Sequence, residues 1–194
     1  MKKLIVLSAM TFVLAAAGNA QTNEASLKNE IKTDKKEESA IKKEKQKEKK
    51  ELRKLEGKEV SYHTQDQFAR DFGDIPGVKW TRSAYYDVAV FTKDGQTSKA
   101  YYDYDSELVG TTTLKTFEDI PLKAQNYINQ KYKGYSKDAI ILFDDNELNE
   151  TDMIMYDQQF EDADNYFVEL NNGSKRIVLQ VDMKGNVSFF RQLS

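Results

Sequence analysis

The sequence contains no cysteine. That excludes a structural disulfide, a thiol nucleophile, a Cys-ligated zinc and a lipidated N-terminal cysteine. Histidine occurs once, at His63, and no nucleophile-elbow pattern accompanies it. There is no phosphate-cradling G-x-x-x-x-G-K, no G-x-G-x-x-G, and no His-plus-Glu pair of the zinc-hydrolase kind. Nine glycines and two prolines leave little loop material for an active site. The expectation is a chain that is not an enzyme and carries no cofactor. A carboxylate pair could still hide among the many acids, because sequence spacing does not locate one.

What is present starts with an export signal. Lys2 and Lys3 precede an apolar run, Leu4 to Ala17, and Gly18-Asn19-Ala20 is a small-x-Ala cleavage site. A membrane anchor would need about 20 apolar residues. Residues 1–20 therefore read as a signal peptide. The mature chain is expected in the periplasm or outside the cell, and not spanning a membrane.

Charge divides the remainder. Residues 21–56 hold 12 Lys+Arg and 9 Asp+Glu, a net of +3, whereas residues 57–194 hold 15 and 23, a net of −8. The first stretch, 21–57, is a low-complexity leader. Its Leu27, Ile31, Ile41, Leu52 and Leu55 are too sparse for a heptad seam, so it is expected helical or disordered and solvated. The net-negative remainder argues against nucleic acid as the ligand.

Residues 58–194 carry the alternating signals of a folded domain. Thr64 is a candidate N-cap before Phe68 and Phe72 at i,i+4, with Gly73 as a stop. Strands are expected over 86–92 and 99–105, around a Lys93-Asp94-Gly95 turn, and over 108–114. The order then restarts. A second helix follows Asp119-Ile120-Pro121, with Ala124, Tyr127 and Ile128 at helical spacing and Gly134 closing it. Strands over 139–143, 153–156, 166–170, 175–182 and 187–193 complete the chain. Val90-x-x-x-x-Gly95 matches Val168-x-x-x-x-Gly173, and Asp105 matches Asp182. The expected fold is α+β: a tandem repeat of a helix followed by an antiparallel β-meander, copy one over 58–116 and copy two over 117–194, helices on one sheet face. A chance match of two hairpins is the alternative.

With Trp80 following Gly77-Val78-Lys79, and the V-x-x-x-x-G and V-x-x-D-x-x-G hairpin pattern, residues 60–194 resemble the PepSY-like, beta-lactamase-inhibitor-like exported proteins of Bacteroidota. The resemblance implies a binding or inhibitory role, with a protein or peptide partner. The first copy departs from the pattern, having Asp105-Ser106-Glu107-Leu108 where the second has Asp182-Met183-Lys184-Gly185.

Side chains alternate faces along a strand. One parity collects Tyr86, Val88, Val90, Ala100, Tyr102 and Tyr104, with Tyr166, Val168, Leu170, Ile177, Leu179, Val181, Val187 and Phe189 in the second half. This face is expected under the helices. The opposite parity leaves Tyr85, Phe91, Tyr101, Phe167 and Phe190 as exposed rings, the candidate partner-binding residues. Cross-strand ring pairing that merely stabilises the sheet is the competing explanation.

No Lys or Arg occurs between Asp138 and Ser174, and nine carboxylates fall within Asp144–Asp164. Asp144, Asp145, Glu147 and Asp152 are the calcium candidates, although the segment lacks the spacing and glycine of an EF-hand. An acidic loop steering a basic partner is the simpler expectation. An envelope structural or stress protein with a cation-buffering acidic loop is the alternative function.

Overall fold

The computed structural model describes residues 20–193; residues 1–19, which hold most of the expected signal peptide, and Ser194 lie outside the described residues. Helix α1, Ala20–Glu56, covers the charged leader. Among the described residues, 20–45 and 46–193 fall into separate units. The second unit contains all the sheet structure.

In that unit the order is α2 (Tyr62–Phe72), β1 (Lys79–Arg82), β2 (Asp87–Lys93), β3 (Gln96–Tyr102) and β4 (Leu108–Lys115). Then come α3 (Leu122–Lys131), β5 (Ser136–Asp145), β6 (Ile154–Met155), β7 (Gln158–Gln159), β8 (Asn165–Asn171), β9 (Arg176–Asp182) and β10 (Val187–Gln192). Eight strands make one antiparallel sheet in the order β1-β2-β3-β4-β5-β8-β9-β10, while β6 and β7 form a separate hairpin. The α+β architecture expected from the sequence is present, with both helices packed on the same sheet face.

Helix α2 is capped by Ser61, whose Oγ accepts the Thr64 N–H at 3.0 Å. The expected cap, Thr64, sits inside the helix and is buried. Its hydroxyl donates to Asp87 at 3.1 Å. Phe68 fills the space below α2 with Ala89, Phe91, Ala100 and Tyr102. Ala124 and Ile128 seat α3 on Tyr166, Val168, Leu170, Ile177, Leu179 and Val181, as the parity of the second half requires.

The first half departs from the expected faces. Asp94 and Gly95 form a two-residue turn with positive φ at both positions, so Lys93 pairs with Gln96 and Val88 with Tyr101. Odd-numbered residues of β2 therefore lie opposite even-numbered residues of β3. Ala89 and Phe91 join Ala100 and Tyr102 beneath α2, while Tyr86 and Val88 turn to the other face with Tyr101. A three-residue turn would have kept even with even. Tyr104, expected in the core, lies exposed in the β3–β4 turn.

Candidate functional site

The sheet face away from the helices is divided by the acidic segment. Leaving β5, Asn146 donates to the Leu108 carbonyl at 2.7 Å, and Asn149 donates to the same carbonyl at 3.2 Å. Buried Asp103 accepts from Asn149 and Thr151, both at 3.4 Å. The chain then crosses the sheet as the β6–β7 hairpin. Met153 and Phe160 pack with Phe143, Phe167, Val178 and Phe190. The rings of Phe160 and Phe167 meet edge-on at 4.9 Å, and those of Phe167 and Phe190 at 5.0 Å. The acidic segment, expected as a loop around a strand over 153–156, is thus a cover, and an apolar one on its inner side.

The hairpin is pinned at its tip. Tyr156 and Asp157 both have positive φ, a conformation that disfavours bulky side chains. The Tyr156 hydroxyl donates to Glu169 at 2.7 Å, and Arg191 donates to the Tyr156 carbonyl. Arg191 also approaches Asp157 at 3.7 Å. These bonds offset the strain that the turn stores.

Beside the hairpin the sheet is uncovered. A groove of about 570 Å³ lies there, floored by Val88, Tyr101, Thr112, Leu114 and Ile141 and walled by Ile154, Met155 and Tyr156. Tyr85 and Tyr86 close another side, and Lys99, Asp157 and Glu169 supply charge. Lys50 of α1 places its ammonium 5.3 Å from the centre of the Tyr85 ring. Burial pushes the Tyr86, Tyr101 and Tyr156 phenols up from their ordinary value, so they remain neutral hydrogen-bonding groups. The site offers apolar area, rings and hydroxyls. Apolar area with rings and hydroxyls suits recognition of a partner surface.

The five predicted rings separate. Tyr85 and Tyr101 line the groove, half-buried. Phe91 is buried at 5% exposure beneath α2, because the two-residue turn puts it on the helix face. Phe167 and Phe190 keep the predicted face but are buried there, since the hairpin covers them. Leu114, Ile141, Ile154, Met155 and Tyr156 went unpredicted as groove residues. The apolar run Met153-Ile154-Met155-Tyr156 within an acidic stretch was the available signal.

The calcium candidates Asp144, Asp145, Glu147 and Asp152 do not form a metal-holding group. Among the described residues no group of three or more His, Cys, Asp or Glu is placed to hold a metal ion. Asp144 and Glu147 are exposed. Asp152 accepts from Gln159 at 2.5 Å. Asp145 stands at the base of the insertion. Its N–H donates to Asp164 at 2.9 Å, and one of its carboxyl oxygens is buried without a hydrogen-bond partner. Burial, then the neighbouring Asp162, Asp164 and Glu147, push its carboxyl up to about 7. His63 lies exposed on α2, apart from the groove lining.

No helix among the described residues is long and apolar enough to cross a membrane. No protein-family model and no curated protein matches the sequence. Solved structures do resemble the fold. A DUF2874 family protein from Bacteroides uniformis is 17% identical, with 69% of this chain and 90% of that one covered and a TM-score of 0.57. A BLIP-like protein from Bacteroides fragilis is also 17% identical, with 70% and 86% covered and a TM-score of 0.51. A candidate periplasmic protein from Bacteroides eggerthii is 16% identical, with 70% and 88% covered and a TM-score of 0.55. The chain therefore shares its fold with the DUF2874 and BLIP-like proteins of Bacteroides.

Proposed function

We propose that this chain is an exported, non-catalytic binding module that seats a segment of a protein partner in the groove beside the β6–β7 hairpin. One observation carries this reading. The hairpin covers half of an aromatic and apolar sheet face, while the adjoining half, with Tyr85, Tyr101, Leu114 and Ile141, is left as a groove. Leu114 is 67% exposed there, and an exposed apolar surface next to rings is where partners dock. The BLIP-like neighbour supports an inhibitor-like role, and the periplasmic neighbour supports action in the envelope. Cleavage of residues 1–20 would release the protein there. Residues 58–116 and 117–194 are read as two PepSY-like copies, each a helix followed by antiparallel strands, the second enlarged by the hairpin insertion.

The test is capture from native envelope extract, with the wild type beside a Tyr85→Ala/Tyr101→Ala variant of unchanged circular dichroism. A protein held by the wild type and lost from the variant is expected. Equal retention of every captured protein by both would remove the groove from the account.

A further inference from the structure

The wall of the groove is a strand edge. Within the hairpin, Met155 pairs with Gln158, and the Phe160 N–H donates to the Met153 carbonyl at 3.1 Å. The backbone groups of residues 153 and 155 thus point toward β7, and by alternation those of Ile154 point the other way. Tyr86 meets them. Its hydroxyl accepts the Ile154 N–H at 3.0 Å and donates to the Asp152 carbonyl at 3.2 Å. A single group that bonds the carbonyl of residue i−1 and the N–H of residue i+1 reproduces what one residue of a parallel neighbouring strand does. The phenol stands in for a third strand at one position. By the same alternation the Ile154 carbonyl lies one step further along this edge, toward Tyr156, and Ile154 lines the groove.

We propose that the groove takes an extended peptide segment as a third strand on the outer edge of β6, with alternate apolar side chains directed onto Val88, Leu114 and Ile141. The inference rests on the binding role proposed above and specifies the form of the partner. Continuity with an existing interface supports it. The neighbouring part of the same face is already covered by an extended ribbon, this chain's own hairpin, which inserts Met153 and Phe160. A strand satisfies both the edge and the floor, because its backbone groups lie in one plane and its side chains alternate perpendicular to it. A helix would bring side chains to the floor but no backbone groups to the edge.

The experiment is selection of random peptides displayed on phage, against the purified protein and against a Leu114→Glu/Tyr101→Ala variant. Selected peptides are then synthesised with and without methylation of alternate backbone amides. Expected are peptides with apolar residues at every second position that bind about tenfold more weakly to the variant. Methylation in the register facing β6 should weaken them by a similar factor. Methylation in the other register should cost much less. Groove-dependent peptides that are indifferent to methylation, or that repeat at helical spacing, overturn the added strand and leave the binding role standing. Peptides enriched equally on wild type and variant overturn both.

Discussion

Gly110 on β4 lies directly beneath the ring of Phe143 on β5. A Cβ at Gly110 would stand 2.7 Å from two atoms of that ring and 2.6 Å from the Asp144 carbonyl oxygen. Phe143 is fully buried and meets Phe160 of the hairpin edge-on at 5.2 Å. The missing side chain makes room for the Phe143 ring, which packs against the cover through Phe160. Gly110→Ala should therefore destabilise the protein by about 1–3 kcal/mol through overpacking. Urea denaturation measures this, and an unchanged midpoint would show that the ring yields without cost.

The bidentate pair between Arg82 and Asp87, at 2.7 and 2.9 Å, joins the edge strand β1 to β2. The two side chains are 7% and 1% exposed, and Thr64 donates a further hydrogen bond to Asp87. Asp87→Ala leaves a guanidinium in a desolvated site and should cost about 3–5 kcal/mol. Arg82→Met combined with Asp87→Leu removes both charges and should recover most of that loss. Thermal denaturation of the three proteins gives the comparison. A double variant as unstable as the single one would contradict the argument.

Tyr86→Phe removes one hydroxyl that serves two backbone groups of the hairpin strand. With the Ile154 N–H and the Asp152 carbonyl deprived of it, a loss of about 1–3 kcal/mol is expected. The effect should be local, so faster amide hydrogen exchange at Ile154, with β8 and β9 unchanged, is the diagnostic result. Uniform acceleration across the sheet would instead mean that the hairpin and the sheet open together.

The part of the stability linked to Asp145 should fall as pH rises from about 4 to about 7. The Asp145 carboxyl is raised to about 7 in the folded protein, from an ordinary value of 3.8. The folded state thus holds this proton more tightly than the unfolded chain does. Stability linked to it is fully present below about pH 4 and is lost progressively as pH climbs to about 7. Asp162, Asp164 and Glu147, the acids that crowd the site, oppose its ionisation. Asp145→Asn should flatten the decline. Denaturant midpoints across this pH range, for wild type and variant, decide the matter, and parallel curves would place the effect elsewhere.

Much of the fold could be read from residue order. The helices over Phe68 and Ile128, the Asp-Gly hairpin and the inward set Tyr166, Val168, Ile177 and Leu179 all lie where alternation and turn residues put them. Of the groove, only Tyr85 and Tyr101 were legible. The face of β2 was lost on a single residue of turn length, which reverses every side chain of the strand. That length was recoverable, because Asp-Gly favours a two-residue hairpin. The burial of Phe167 was not, since it depends on an insertion folding back across the sheet, and contacts remote in sequence leave no local period. The acidic residues concealed this. Charges on the outer side of the segment dominate its composition, while Met153 to Tyr156, together with Phe160, carry its inner side.

The join between β4 and β5 has a consequence for how the domain comes apart. Six consecutive residue pairs, from Gly110 with Asp145 to Lys115 with Ile140, link the strands beneath α2 to those beneath α3. Neither half can be melted alone without exposing a central ladder to water, and every unpaired backbone group there carries its own desolvation cost. The domain should therefore unfold as one cooperative unit, and calorimetry is expected to give a single heat-absorption peak whose van't Hoff and calorimetric enthalpies agree.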